Sequence, residues 1–181
     1  TKEEKDYFAK IIFLNASALN TNLILLNSTS RRFPEGLGNE NGVLGKYIAF
    51  HNYRGTISAK YEGFEDQYYF GRRPTAVMTP NFRNVKKQEM DFLRGYMTFY
   101  SAGRSGFGHA DVGGFGTEFK KANTQPGPWN VFMMMQGETI PKESNQVSLS
   151  KDQKDEWGIP LLQVSVDYDE NDEKILQDFH Q

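Results

Sequence analysis

The chain is predicted to fold as an α+β protein, a mainly antiparallel β-sheet backed by helices, and three observations predict it. First, two runs alternating apolar and polar residues, Asn145 to Leu149 and Leu161 to Val166, flank a charged turn that closes on Trp157-Gly158-Ile159-Pro160, the pattern of a strand pair. Second, a period of two recurs in several runs after Asn52. Third, apolar residues return at helical spacing near both ends of the chain.

Taken in order, Lys10-Ile11-Ile12-Phe13-Leu14 is a short continuous apolar run, expected to fill a buried parallel strand. Leu19, Leu23 and Leu26 then predict a helix over Ala18 to Asn27, capped by Ser17 or Asn20. A strand followed by a helix is half of a βαβ crossover, so the chain is expected to start inside a domain. From Arg31 to His51 the composition shifts to Pro34, Gly36, Gly38, Gly42 and Gly45, a surface loop, and a boundary is expected near it. The expected division is 1–30 and 31–181.

Beyond it, Tyr53, Gly55, Ile57, Ala59 and Tyr61 alternate with polar residues, and Tyr96 to Tyr100 has strand composition. Asn130 to Gln136 reads as a strand buried on both faces, and with the C-terminal pair this makes about five strands. A helix is expected over Val85 to Leu93, then a glycine-dense loop over Gly103 to Gly116 and a helix from Thr117 to Ala122. Pro160 has no N–H for a ladder, so the second strand of the pair should begin at or after it, with Gly158 free to take a positive φ. The last helix runs from Asp169 to Gln181, with acidic residues in its first turn and Ile175, Leu176 and Phe179 on one side.

Composition narrows the partners. A formal charge of -2, from 21 basic and 23 acidic residues, offers no basic field for nucleic acid, and no polybasic or long apolar run suggests a membrane. The expected partner is a small or neutral molecule. With no cysteine, disulfides, thiolate catalysis and Cys-zinc sites are excluded. A soluble protein is expected, the compartment open between cytoplasm and periplasm. Asn15-Ala16-Ser17 and Asn27-Ser28-Thr29 fit the glycosylation pattern, but both fall in a predicted strand end and helix rather than in exposed loops. The absence of an initiator Met and of a signal peptide permits a processed or excised piece.

The block from Glu143 to Val166 resembles the C-terminal part of glucose-methanol-choline oxidoreductases, flavoenzymes that oxidise alcohols. Other segments are similar in order and spacing. Ala16-Ser17-Ala18-Leu19-Asn20-Thr21 through Asn27-Ser28 resembles the family's second signature, although Thr29-Ser30-Arg31 replaces the usual glycine-bearing triplet. Gly36-Leu37-Gly38-Asn39 with Gly42 to Ile48 is similar to the loop entering the substrate domain, ending here in Phe50-His51 where many members have Asp-His. Gly137-Glu138-Thr139-Ile140-Pro141 resembles the strand and turn before the Trp-Gly-Ile-Pro block. The resemblance, closest in flavour to the pyranose-oxidase-like or sugar-dehydrogenase branch, implies the substrate-binding portion of an FAD-dependent enzyme. It implies that residues 1–30 are a remnant of the FAD-binding domain and 31–181 a substrate-binding domain incomplete at its C-terminus. It also implies a sugar or other alcohol as substrate, hydride passing to flavin N5, and the remainder of the flavin domain as a partner. The Gly-x-Gly-x-x-Gly turn that admits a pyrophosphate does not occur, and Gly106-Phe107-Gly108 lacks its strand and helix. The family's catalytic His segment is likewise expected outside this span, so the span by itself is expected to be inactive. A stand-alone, non-catalytic carbohydrate-binding β-module is the competing reading.

Within the chain, no catalytic residue is expected. His109 falls in the glycine loop and His180 in a charged terminal helix, while His51 is either a residue near the flavin or a hydrogen-bonded structural histidine. The resemblance implies cofactor contacts from Ala16, Ser17 and His51. Gln136, at the end of three methionines, needs a partner because an unpaired buried amide costs about 1–3 kcal/mol; a substrate hydroxyl or a neighbouring strand would supply it. Glu138 follows one pleat later on the same face, either contacting substrate or forming an exposed strand end. Met133, Met134 and Met135 read as core filler. The acidic clusters at 152–156 and 167–173 lack calcium-loop spacing, and no metal site is expected.

Overall fold

The structure, a computed structural model, describes residues 3, 5–67, 76–106 and 114–181. In chain order its elements are α1 (Ser17–Asn27), β1 (His51–Asn52), β2 (Thr56–Tyr61), β3 (Val77–Pro80), β4 (Tyr96–Arg104), α2 (Thr117–Asn123), β5 (Trp129–Glu138), β6 (Gln146–Lys154), β7 (Pro160–Ser165) and α3 (Glu170–Phe179). The fold is α+β and mainly antiparallel. It divides into two compact units that interleave along the sequence: residues 1–49 with 140–167, and 50–139 with 168–181.

In the first unit, β6 and β7 form the expected hairpin, with Leu149 opposite Leu162 and a register shift before Lys154 meets Pro160. Pro160 opens β7, where its missing N–H costs no ladder bond, and Gly158 takes φ +87° in the turn. Asp155 organises that turn, its Oδ1 accepting from the N–H groups of Trp157 and Ile159 at 2.9 Å each. α1 packs against this hairpin. Ala16, not Ser17 or Asn20, occupies the N-cap position and makes no side-chain cap bond, while Ser17 stands at φ +66°. The strand expected over Lys10 to Leu14 does not form. Ile11, Ile12 and Phe13 are exposed, because none of the described strands pairs with them and an apolar run without a ladder leaves its backbone groups to water. The loop after α1 is stitched to β6: Val147 N–H donates to Gly45 O at 2.7 Å, and Lys46 Nζ meets Glu143 at 2.8 Å. Gly45 is required there, since at φ +82° a Cβ would lie 2.5 Å from the Val147 carbonyl oxygen.

The second unit is a five-stranded antiparallel sheet in which β5 is flanked by β1 and β2 on one side and by β4, then β3, on the other. Alternation sorts the residues of β5 onto two faces. Met135 and Gly137 point to one face with Tyr96 and Thr98 of β4 as cross-strand neighbours, and α3 covers it there. Phe92, Tyr96, Met135 and Ile175 are buried together, with Met90, Leu176 and Phe179 against them. Gly55 and Gly137 let the helix approach: a Cβ on Gly55 would sit 2.5 Å from the Phe179 ring, and one on Gly137 3.3 Å from Ile175. Asp169 caps α3 in a capping box with Asp172, and buried Asn52 donates to the Asp172 carbonyl at 3.2 Å. Arg54 lies 3.8 Å above the Tyr168 ring and pairs with Glu173 at 2.5 Å.

The opposite face, carrying Phe132, Met134, Gln136 and Glu138 of β5, packs no helix among the described residues. β5 is therefore not buried on both faces: Met134 and Gln136 are half-buried and Glu138 is exposed. The helix expected over Val85 to Leu93 is also absent. Instead the Asn84 side chain donates to the Phe92 and Arg94 carbonyls at 2.8 Å and accepts from the N–H groups of Glu89 and Met90. A side-chain amide that offers these backbone groups an alternative partner holds the segment as a closed loop rather than a helix. β4 runs on through Arg104, so the glycine loop starts later than Gly103.

Candidate functional site

A cleft of about 250 Å³ opens at the end of the second unit's sheet where β1, β4 and β5 meet. It is lined by His51, Gln136 and Glu138, which the sequence singled out, and by Pro80, Phe82, Arg83, Val85, Gly95, Tyr96 and Met97. Antiparallel register brings the first three together. His51 of β1 is the cross-strand partner of Glu138, and Met97 of β4 that of Gln136. Gln136 and Glu138, two residues apart, project to the same face. The edge strand β3 contributes Pro80 beside Met97, and the loop held by Asn84 adds Phe82, Arg83 and Val85.

The apolar wall is made by Met97, Phe82, Val85 and Pro80, all exposed or at a strand edge. The polar groups converge on it. Arg94 Nε stands 3.8 Å from Glu138 Oε2, a solvated pair that weakly offsets the carboxylate. His51 packs edge-on against Tyr53, ring centroids 5.3 Å apart. Arg83 Nε donates to Asp178 Oδ2 at 2.9 Å, and the Tyr96 hydroxyl donates to the same oxygen at 2.6 Å. Burial, reinforced by the Asp178 carboxylate, pushes the Tyr96 phenol up from its ordinary range. The hydrogen bond and charge of Asp178 raise the Arg83 guanidinium, which stays cationic. The Asp178 side chain is only 8% exposed, so the Arg83 cation is anchored from the core side of the sheet edge.

Ala16 and Ser17 belong to the other unit, at the start of α1, so the five sequence-predicted site residues fall into two groups. His109 lies outside the described residues, and His180 forms the exposed C-cap of α3. Arg83, Tyr96 and Asp178 were missed by sequence reasoning. A Val-Met-Thr run ending in Pro80-Asn81 was the available signal for an edge strand delivering a loop to the site. Among the described residues no cluster of three or more acidic or imidazole groups is placed to hold a metal ion, and no helix is long and apolar enough to cross a membrane.

The cleft sets amide, imidazole, carboxylate and guanidinium groups against an apolar wall. The chain is 29% identical to a 2-methyl-1,2-propanediol dehydrogenase of Mycolicibacterium austroafricanum over 91% of its own length. It is 24% identical to the fructose dehydrogenase large subunit of Gluconobacter japonicus over 93% of its length. It spans 30% and 31% of those two proteins. No known family profile matches it. Both relatives are dehydrogenases, and the chain is similar to a portion of each.

Proposed function

We propose that this chain is the substrate-binding portion of an FAD-dependent oxidoreductase of the glucose-methanol-choline type, acting on the CH–OH group of a sugar, polyol or other alcohol. The observation that carries the proposal is the convergence of His51, Gln136 and Glu138 on one cleft at the end of the second unit's sheet. The similarity to portions of two dehydrogenases supports it. On this reading the sheet is a wall of the substrate site. Gln136 donates or accepts at one hydroxyl, Glu138 accepts at another, and Met97, Phe82 and Val85 exclude water from the carbon skeleton.

FAD, when bound, supplies the hydride acceptor. The residues present fit a partial role in holding it. His51 stands at the cleft beside the expected substrate. The pyrophosphate-binding turn is expected in parts of the protein outside this span.

The test is made on the full-length enzyme. Gln136→Leu and Glu138→Leu should each lower kcat/KM about tenfold to a hundredfold, the loss of roughly 1.4–3 kcal/mol of transition-state contact, with flavin content and thermal stability near wild type. Lower stability with kcat/KM retained would make both residues internal strand partners and remove them from the site.

A further inference from the structure

Resting on that reading, the geometry points to Arg83 as a specificity-determining residue, and to alcohols that carry a carboxylate, hydroxy acids or sugar acids, as the substrates of the cleft. Arg83 lines the cleft, yet only its Nε is committed, to Asp178. Among the described residues no acceptor is assigned to its two terminal nitrogens, which between them carry four of the five guanidinium N–H groups. An arginine serving only to neutralise Asp178 would gain by turning its fork onto both carboxylate oxygens. Here Arg83 Nε and the Tyr96 hydroxyl share Asp178 Oδ2, and the outer edge of the fork stands at a side chain 43% exposed.

The fork is also held in place. Asp178 and Tyr96 fix it from the buried side, and neighbouring Asn84 closes the loop on four backbone groups. With its Nε already held by Asp178, the side chain has less rotamer freedom left to lose on binding than an untethered arginine. Asp178 offsets the charge at long range, so recognition falls to short, paired N–H···O bonds, for which a carboxylate is the matching planar acceptor and a lone hydroxyl is not. Glu138 sets the polarity of binding. Its own carboxylate, only partly offset by Arg94 at 3.8 Å, disfavours an acid group beside it, so the acid takes the Arg83 end and the hydroxyls take Gln136 and Glu138.

The experiment measures turnover by the full-length flavoenzyme, with a dye as electron acceptor, on matched pairs: 1,2-propanediol against lactate, and glucose against gluconate. The acid should have the higher kcat/KM in at least one pair. Arg83→Gln should lower the acid-to-neutral ratio about tenfold to a hundredfold, and Arg83→Lys should restore only part of it, because an ammonium keeps the charge but not the fork. In the wild type, propionate, which has no hydroxyl to oxidise, should inhibit competitively, a readout that stands even where the variants fail to fold. Oxidation of only the neutral partner in both pairs, without inhibition by propionate, overturns this inference and leaves the proposed alcohol oxidation intact. An acid-to-neutral ratio unmoved in Arg83→Gln also overturns it. Failure of every pair, with flavin bound, overturns both.

Discussion

Replacing Ile175 by alanine tests whether α3 is what holds the site together. Ile175 is fully buried, packed with Phe92, Tyr96 and Met135, and a Cβ on Gly137 would lie 3.3 Å from its Cγ2. The change removes three carbons, worth about 2.4 kcal/mol at 0.8 kcal/mol each. The cavity left behind adds to this, because Gly137 and Gly55 have no side chains with which to collapse into it, and the expected total is about 2–5 kcal/mol. Since 1.36 kcal/mol is a factor of ten, amides of β5 and α3 that exchange through opening of this core should exchange roughly 30-fold to several thousandfold faster, as read by hydrogen exchange. Asp178, which anchors Arg83, rides on the same helix, so kcat/KM should fall together with protection. An acceleration below about fivefold would refute the assignment of α3 as the cover of this face.

Three further outcomes are expected. Asn84→Ala removes four hydrogen bonds and should cost about 2 kcal/mol or more, with limited proteolysis appearing between residues 85 and 94. Gly45→Ala forces a side chain into φ +82° against the Val147 carbonyl and should destabilise the first unit by more than about 1 kcal/mol, seen as faster exchange of the Val147 amide. Burial raises the Asp172 carboxyl above its ordinary value of 3.8, with its backbone bond to Asp169 opposing. A raised folded value means that its favourable contribution is complete below the unfolded value and is lost as pH rises through the folded one. The Tm of the wild type should therefore fall relative to Asp172→Asn as pH is raised from 3.5 to 7, and a constant difference across that range would count against the buried acid.

Residues whose effect is local were legible from the sequence. Asp155, Gly158 and Pro160 encode a turn and a strand start within six positions, and β6–β7 formed where the alternation placed it. Asp169 and the acidic first turn encode the start of α3. Period two in β4 and β5 fixed that Gln136 and Glu138 share a face, because successive side chains must alternate across a pleat. Where local pattern failed, a contact distant in sequence or a single side chain won. Asn84 captured backbone groups as far away as Arg94 and converted a helical pattern into a loop. The apolar run at Lys10 to Leu14, strand-like by composition, is exposed because a strand is defined by a partner and none of the described strands pairs with it. The union of His51 with Glu138 across 86 intervening positions, and of Arg83 with Asp178, is fixed by strand register and by the docking of α3 onto Gly55 and Gly137. Which face of the sheet α3 covers depends on the summed packing of residues that are far apart in the chain, and only the tertiary structure decided it.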